Sequence, residues 1–130
     1  MNVFIAESSA ILCNSLQGAL SGISGIKVVG HAVNESAAIE RIDALLPDAV
    51  ILSNSLQSGS GIGVLKNIKK HHAEIMVLMI ANYTEEAYID HCLCAGADYF
   101  FDTSSQFMQF SKALRELAHT NRFDNKFRPE

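Results

Sequence analysis

Short apolar runs of strand length alternate with apolar patterns of helical period, five times over, between Val3 and about Leu117. Residues 3–6 form the first run. Ile11, Leu12, Leu16, Ala19, Leu20 and Ile23 follow at helical spacing. Ser8 and Ser9 stand before them with hydroxyls suited to a helix start, and Gly22 and Gly25 end the pattern. Residues 27–33 read as the second strand. Asn34 is a cap candidate for a second helix carrying Ala37, Ala38, Ile42, Leu45 and Leu46, which Pro47 stops. Residues 49–52 are apolar without interruption, as in a parallel strand covered on both faces. Ile62, Leu65 and Ile68 lie on one face of a third helix, with Lys66, Lys69 and Lys70 expected to face out. Residues 75–81 and 99–101 read as the last two strands. Between them Tyr88, Ile89, Cys92 and Leu93 mark the stripe of a fourth helix, opened by Thr84-Glu85-Glu86 and ended by Gly96. Phe107, Phe110, Leu114 and Leu117 stripe the fifth.

Strict strand–helix alternation predicts an α/β fold, a doubly wound parallel sheet with helices on both faces. Right-handed crossovers reduce the possible topologies to a few. The strand order expected is 2-1-3-4-5, with the functional cleft at the carboxyl ends of strands one and three. That placement brings Glu7, Ser8 and Ser53 together.

A chain of 130 residues with 48% apolar content supports one domain with a substantial core. A net charge of -4 gives no general attraction for nucleic acid or an anionic membrane. No apolar run approaches the ~20 residues of a membrane span. The opening residues lack the basic region of a secretion signal. Cys13, Cys92 and Cys94 cannot all pair within one chain, which fits thiols in a reducing cytoplasm. The cluster His91-Cys92-x-Cys94 lacks the second ligand pair of a structural zinc site, so no metal is expected there.

Four local motifs carry a family resemblance. They are Pro47-Asp48 before the third strand, Gly59-Ser60-Gly61-Ile62-Gly63-Val64-Leu65 after it, Asn82-Tyr83 after the fourth, and Cys94-Ala95-Gly96-Ala97-Asp98-Tyr99-Phe100-Phe101 into the fifth. In this order they resemble the CheY-like receiver domain of bacterial response regulators, over nearly the whole chain. The resemblance implies a flavodoxin-like (βα)5 fold and a place in two-component or phosphorelay signalling. Active receivers hold a divalent metal with two acids after strand one and an acceptor aspartate at the end of strand three. A hydroxyl after strand four and a lysine after strand five contact the phosphoryl group. The matching positions here are Glu7 and Ser8 for the acids, Ser53 for the acceptor, Ala81 for the hydroxyl and Thr103 for the lysine. Only Glu7 keeps its acid. The resemblance therefore implies a pseudo-receiver, with no phosphotransfer, metal or cofactor and no enzymatic activity of its own. The aromatic switch position maps to Phe100. The family's usual contact face, around the fourth helix, fifth strand and fifth helix, offers Tyr88, Tyr99, Phe107 and Met108, with Phe123 and Phe127 beyond them. Residues 1–120 would form the receiver-like domain and 121–130 a tail, with no output domain expected after it. The partner expected is a protein, namely a histidine kinase, another response regulator, an output protein or a second copy of the chain.

Other readings stay open from the residues alone. Ser8, Ser53, Thr103, Ser104 and Ser105 could line a small-ligand pocket, making the chain a ligand-gated adaptor. Alternatively Ser8 or Ser9 and Ser104 or Ser105 cap helices, and Ser53 fills space. Lys69-Lys70-His71-His72 complements a helix dipole or contacts phosphate or nucleic acid. His31 is a lone histidine that is packed or solvated. The two tail phenylalanines, four apart, either extend the last helix, dock a partner or fold back.

Overall fold

The computed structural model describes residues 1–81, 85–102 and 105–127, with 120–127 described by backbone alone. In chain order the elements are β1 (Asn2–Ala6), α1 (Ala10–Ser21), β2 (Lys27–Ala32), α2 (Glu35–Leu45), β3 (Ala49–Ser53), α3 (Gly61–His71), β4 (Met76–Ala81), α4 (Glu86–Cys94), β5 (Tyr99–Asp102) and α5 (Phe107–Phe127). The strands form one parallel sheet ordered β2-β1-β3-β4-β5, as the alternation predicts. Two predicted strands are one residue shorter, for identifiable reasons. The Val33 carbonyl accepts the Gln57 N–H at 2.9 Å, which draws it out of the ladder. The Ile75 N–H donates to the His72 carbonyl at 2.9 Å and closes the turn before β4. Helix α5 continues through much of the segment read as a tail.

Alternation along each strand divides the core between the two faces of the sheet. Phe4, Val50, Leu52, Val77 and Met79 pack with Ala38, Ile42, Leu65, Ile68 and Cys92 from α2, α3 and α4. Val3, Ile5, Ile51, Leu78 and Ile80 pack on the other face with Leu16 and Leu20 of α1 and Phe110 and Leu114 of α5. The central strand β3 is buried at every position.

Three helices start on side-chain caps, each stabilising by about 1 kcal/mol. Ser9 accepts from the Leu12 N–H, Asn34 from the Ala37 N–H and Ser60 from the Gly63 N–H. Helix α2 ends on Leu46 in the left-handed region (φ 47°), directly before Pro47. The predicted stripes differ from the core in places. Ile11 is 81% exposed, and Leu45, Leu46 and Leu93 also face solvent. These residues lie in the first or last turn of their helices or just beyond.

Lys69 corrects the expectation that it faces out. Its ammonium donates to Asp98 at 3.0 Å and to the Ile75 carbonyl at 2.7 Å. Its stem lies over Gly96, whose missing side chain (φ 114°) leaves the room. Asp98 also accepts the Val77 N–H at 2.8 Å, so the acid of the Ala-Gly-Ala-Asp run joins α3, β4 and the start of β5. Among the described residues no helix is long and apolar enough to cross a membrane.

Candidate functional site

Pairing of Ala6 with Leu52 places the next residue of each strand, Glu7 and Ser53, side by side at the carboxyl edge of the sheet. These two are the buried polar residues among those described, at 4% and 6% exposure. The Glu7 N–H donates to the Ala32 carbonyl at 3.0 Å, fixing its backbone to β2. Its carboxylate Oε2 accepts the Ser9 N–H at 2.9 Å. The other oxygen, Oε1, is buried without a hydrogen-bond partner. Leaving a buried acceptor unpaired costs about 1–3 kcal/mol.

Ser53 is engaged locally. Its Oγ donates to the Ser55 carbonyl at 3.2 Å and accepts the Ser55 N–H at 3.3 Å. Ser8 Oγ donates to that same carbonyl at 3.2 Å. The predicted grouping of Glu7, Ser8 and Ser53 thus forms, with Ser55 as the shared anchor that sequence reasoning missed. Ser9, and not Ser8, is the cap of α1.

The loop after β3 is held in two ways. Gly61 brings the start of α3 so near β3 that a methyl group there would overlap the Ser53 carbonyl oxygen. Glu35 accepts the Ser60 N–H at 2.8 Å, and its own N–H donates to the Ser58 carbonyl at 2.9 Å. An acid beside a cap residue reads in sequence as a dipole partner, and nothing local marks it as a strap across to a loop 25 residues on.

Beside Glu7 and Ser53 lies a cleft of about 520 Å³. Ile11, Leu12, Ile80 and Ala81 supply apolar wall, and Ser9, Ser15, Asn54 and Ser55 supply polar groups. Ala81 is buried at the end of β4, opposite Asp102 of β5. Thr103 and Ser104, like Asn82, Tyr83 and Thr84, lie outside the described residues. Helix α5 opens at Gln106, whose carbonyl accepts the Phe110 N–H at 2.9 Å and whose Oε1 accepts the Asp102 N–H at 2.9 Å. Of the two caps expected for this helix, Ser105 stands one residue before Gln106 and Ser104 lies outside the described residues. Chemically, the Ser53 hydroxyl has its hydrogen bonds on Ser55 backbone and, among the described residues, no base on it, so these residues do not arrange it as a nucleophile. Among the described residues no three His, Cys, Asp or Glu side chains gather as a metal site. Cys92 is fully buried while His91 and Cys94 are exposed, which separates that sequence cluster.

Phe100 is half-buried against the α2–α4 side of the core, edge-on to Tyr88 with centroids 6.1 Å apart. Burial, reinforced by the Cys92 thiol beside it, pushes the Tyr88 hydroxyl up to about 12. Burial also raises the Cys92 thiol, against a smaller lowering by its hydrogen bond with Tyr88. Tyr99 packs on the opposite side, stacked on Phe101 at 5.8 Å. Phe107 (41% exposed) and Met108 (83%) stand at the surface. Phe123 and Phe127 belong to α5, but their side chains are outside the described residues. Part of the basic cluster is engaged: Lys69 pairs with Asp98, and His72 Nε2 shares a hydrogen bond with Asp43 at 2.8 Å. His31 is exposed.

Comparison with known proteins agrees with this architecture. A profile of the response regulator receiver domain matches residues 3–115. The response regulator protein VraR of Staphylococcus aureus is 25% identical over 130 residues, covering all of this chain and 61% of that protein. The chain thus spans about 61% of the length of the curated relatives it matches. The response regulator domain of Thermotoga maritima CheB superposes with a TM-score of 0.78 at 28% identity, over 92% of this chain and 94% of that one. The signal receiver domain of NarL from Mycobacterium tuberculosis superposes at 0.82 with 27% identity, over 91% and 95%. A LuxR-family regulator from Aurantimonas sp. SI85-9A1 reaches 0.84 at 18% identity, over 92% and 85%, a likeness of fold alone. With the sheet order, the packing and a profile match over most of its length in agreement, the chain belongs to the response regulator receiver domain family.

Proposed function

We propose that this receiver works in two-component signalling by protein contact alone, without phosphotransfer on its own chain. The observation that carries the reading is Ser53 at the end of β3, where the family's acceptor aspartate would stand, with its hydroxyl turned onto Ser55. A hydroxyl there supplies neither an acyl-phosphate acceptor nor a metal ligand of carboxylate strength. Ser8, Ala81 and Thr103 extend the loss to the second acid, the hydroxyl and the lysine. Magnesium asks for near-octahedral oxygen ligation held through carboxylates. Glu7 is the one acid among the described residues lining the cleft, and one of its oxygens is committed to Ser9. This donor set does not fit the ion, and without a cation the charge of phosphoryl transfer has no stabiliser.

Receivers pair with kinases, other regulators or output domains. For this chain the face of α4, β5 and α5 is the proposed contact. Phe107 and Met108 supply exposed apolar surface on α5, Tyr99 and Phe101 stack on the α5 side of β5, and Tyr88 and Phe100 meet edge-on on its α4 side. The occupant is a histidine kinase, a response regulator, an output protein or a second copy.

The test is a binding screen of the purified chain against the histidine kinases and response regulators of its source organism. Each pair is measured after this chain alone has been treated, or left untreated, with acetyl phosphate and magnesium that are removed before mixing. A complex whose affinity is unchanged by the phosphodonor, and which Met108→Asp weakens, supports the reading. An affinity that changes about tenfold with phosphodonor overturns it.

A further inference from the structure

We propose that the cleft beside Glu7 and Ser53 is a binding site for a small organic cation, a primary ammonium group carried on an apolar body. Glu7 is 4% exposed, lines the cleft and holds one carboxylate oxygen, Oε1, without a hydrogen-bond partner among the described residues. Its other oxygen is already taken by the Ser9 N–H. A buried anionic acceptor with one free position calls for a single strong donor, and a charge-assisted bond from an ammonium is the strongest available.

The surroundings define the rest of the ligand. At about 520 Å³ the cleft is within the usual range of small-molecule sites, roughly 300–1,000 Å³. Ile11, Leu12, Ile80 and Ala81 line it with apolar surface. Ile11 is 81% exposed in the first turn of α1, and an apolar body in the cleft would cover it. Asn54 and Ser15 add hydrogen-bonding groups for the remaining ammonium protons. An anion is excluded by Glu7, and no described lining residue carries a positive charge to offset it. A divalent metal would find one carboxylate where it needs several oxygens. Because Oε1 is shielded from water, the cation must push a small head into the wall, which selects a primary ammonium over a quaternary one. The cleft borders α1, apart from the exposed Phe107 and Met108, so this site and the contact reading fail separately.

The experiment is an amide chemical-shift titration of the isotope-labelled full chain with n-butylammonium chloride. Tetramethylammonium, n-butanol and magnesium chloride are titrated in parallel. The result expected is saturable shifts at Glu7, Ser9, Ser53, Asn54 and Ser55 with n-butylammonium alone. Glu7→Gln should weaken that binding about tenfold or more by removing the charge. Ile11→Ser, a change at an exposed position that leaves the fold intact, should weaken it about threefold and decides the matter if Glu7→Gln does not fold. The proposal is overturned by no saturable shift, by an equal response to n-butanol or tetramethylammonium, by saturation with magnesium instead, by undiminished binding in Glu7→Gln, or, where that variant does not fold, by undiminished binding in Ile11→Ser.

Discussion

The carbonyl of Ser53 and the hydrogen of Gly61 are in such close approach that a single methyl group decides the local geometry. Gly→Ala inside a helix ordinarily stabilises by about 1 kcal/mol. Gly18, in the middle of α1 with open space around its Cα, should follow that rule. Gly61→Ala should reverse it and destabilise by about 3 kcal/mol, because the obstacle is backbone and cannot rotate away. Urea unfolding of the two variants side by side checks the contrast, and equal effects would refute it. A second prediction concerns charge. Two carboxylates about 4 Å apart repel by about 4 kcal/mol at an effective dielectric of about 20. Ser53→Asp, set beside the buried Glu7, should therefore lower the melting temperature by several degrees in the absence of divalent metal. An unchanged or raised melting point would count against that proximity. Ser53 and Glu7 were legible in the sequence, since each is the first polar residue at the end of an apolar run. The unpartnered Glu7 oxygen and the Ser55 anchor were not, because both depend on how neighbouring strands register.

At the scale of elements, side chains that a one-dimensional pattern assigns to solvent turn out to join neighbours. Lys69 lies off the apolar stripe of α3, a position that the pattern alone assigns to solvent. The stripe says nothing of the residues just before β4 and β5, where the Ile75 carbonyl and Asp98 lie within reach of the lysine. Asp98→Ala should cost about 1–3 kcal/mol, since it frees the buried Val77 N–H as well as the lysine. Lys69→Met should cost less than about 1 kcal/mol, because that pair is partly solvated. Denaturant midpoints of the two variants test the order, and a larger loss for Lys69→Met would contradict it. Tyr88 and Cys92 couple α4 to β5 through Phe100 and make an alkaline prediction. Tyr88 holds its proton in the folded chain up to about 12 against an ordinary value of 10.0, so between these limits the unfolded chain is the more readily ionised. Stability should then fall as pH rises through that window, and the raised Cys92 thiol adds to the fall in the same direction. Tyr88→Phe should flatten the decline in a thermal melt series, and a decline as steep as in the unaltered chain would exclude Tyr88 as its source.

For the whole molecule, the alternation of apolar runs and helical stripes was enough to predict one parallel sheet, its order and the edge at which a site would form. That legibility has a physical origin. A parallel strand buried on both faces must be apolar throughout, as β3 is, and right-handed crossovers leave few ways to connect such strands. Element ends were less legible, because Val33, Ile75 and Gln106 are placed by hydrogen bonds to distant or intervening backbone and carry no local signal. At the carboxyl edge of the sheet the frame encloses one carboxylate, two serines on a shared carbonyl and an apolar wall. Magnesium at millimolar concentration should accordingly leave the melting temperature unchanged, and a rise of several degrees would sink that expectation. The most direct test of the central claim is intact-mass spectrometry of the purified chain after incubation with acetyl phosphate and magnesium. A variant carrying Ser8→Asp, Ser53→Asp, Ala81→Thr and Thr103→Lys together is treated in the same way. The account predicts that the unaltered chain gains no phosphoryl group while the repaired variant gains one. A phosphoryl group on the unaltered chain, acquired from acetyl phosphate in the presence of magnesium, would contradict it.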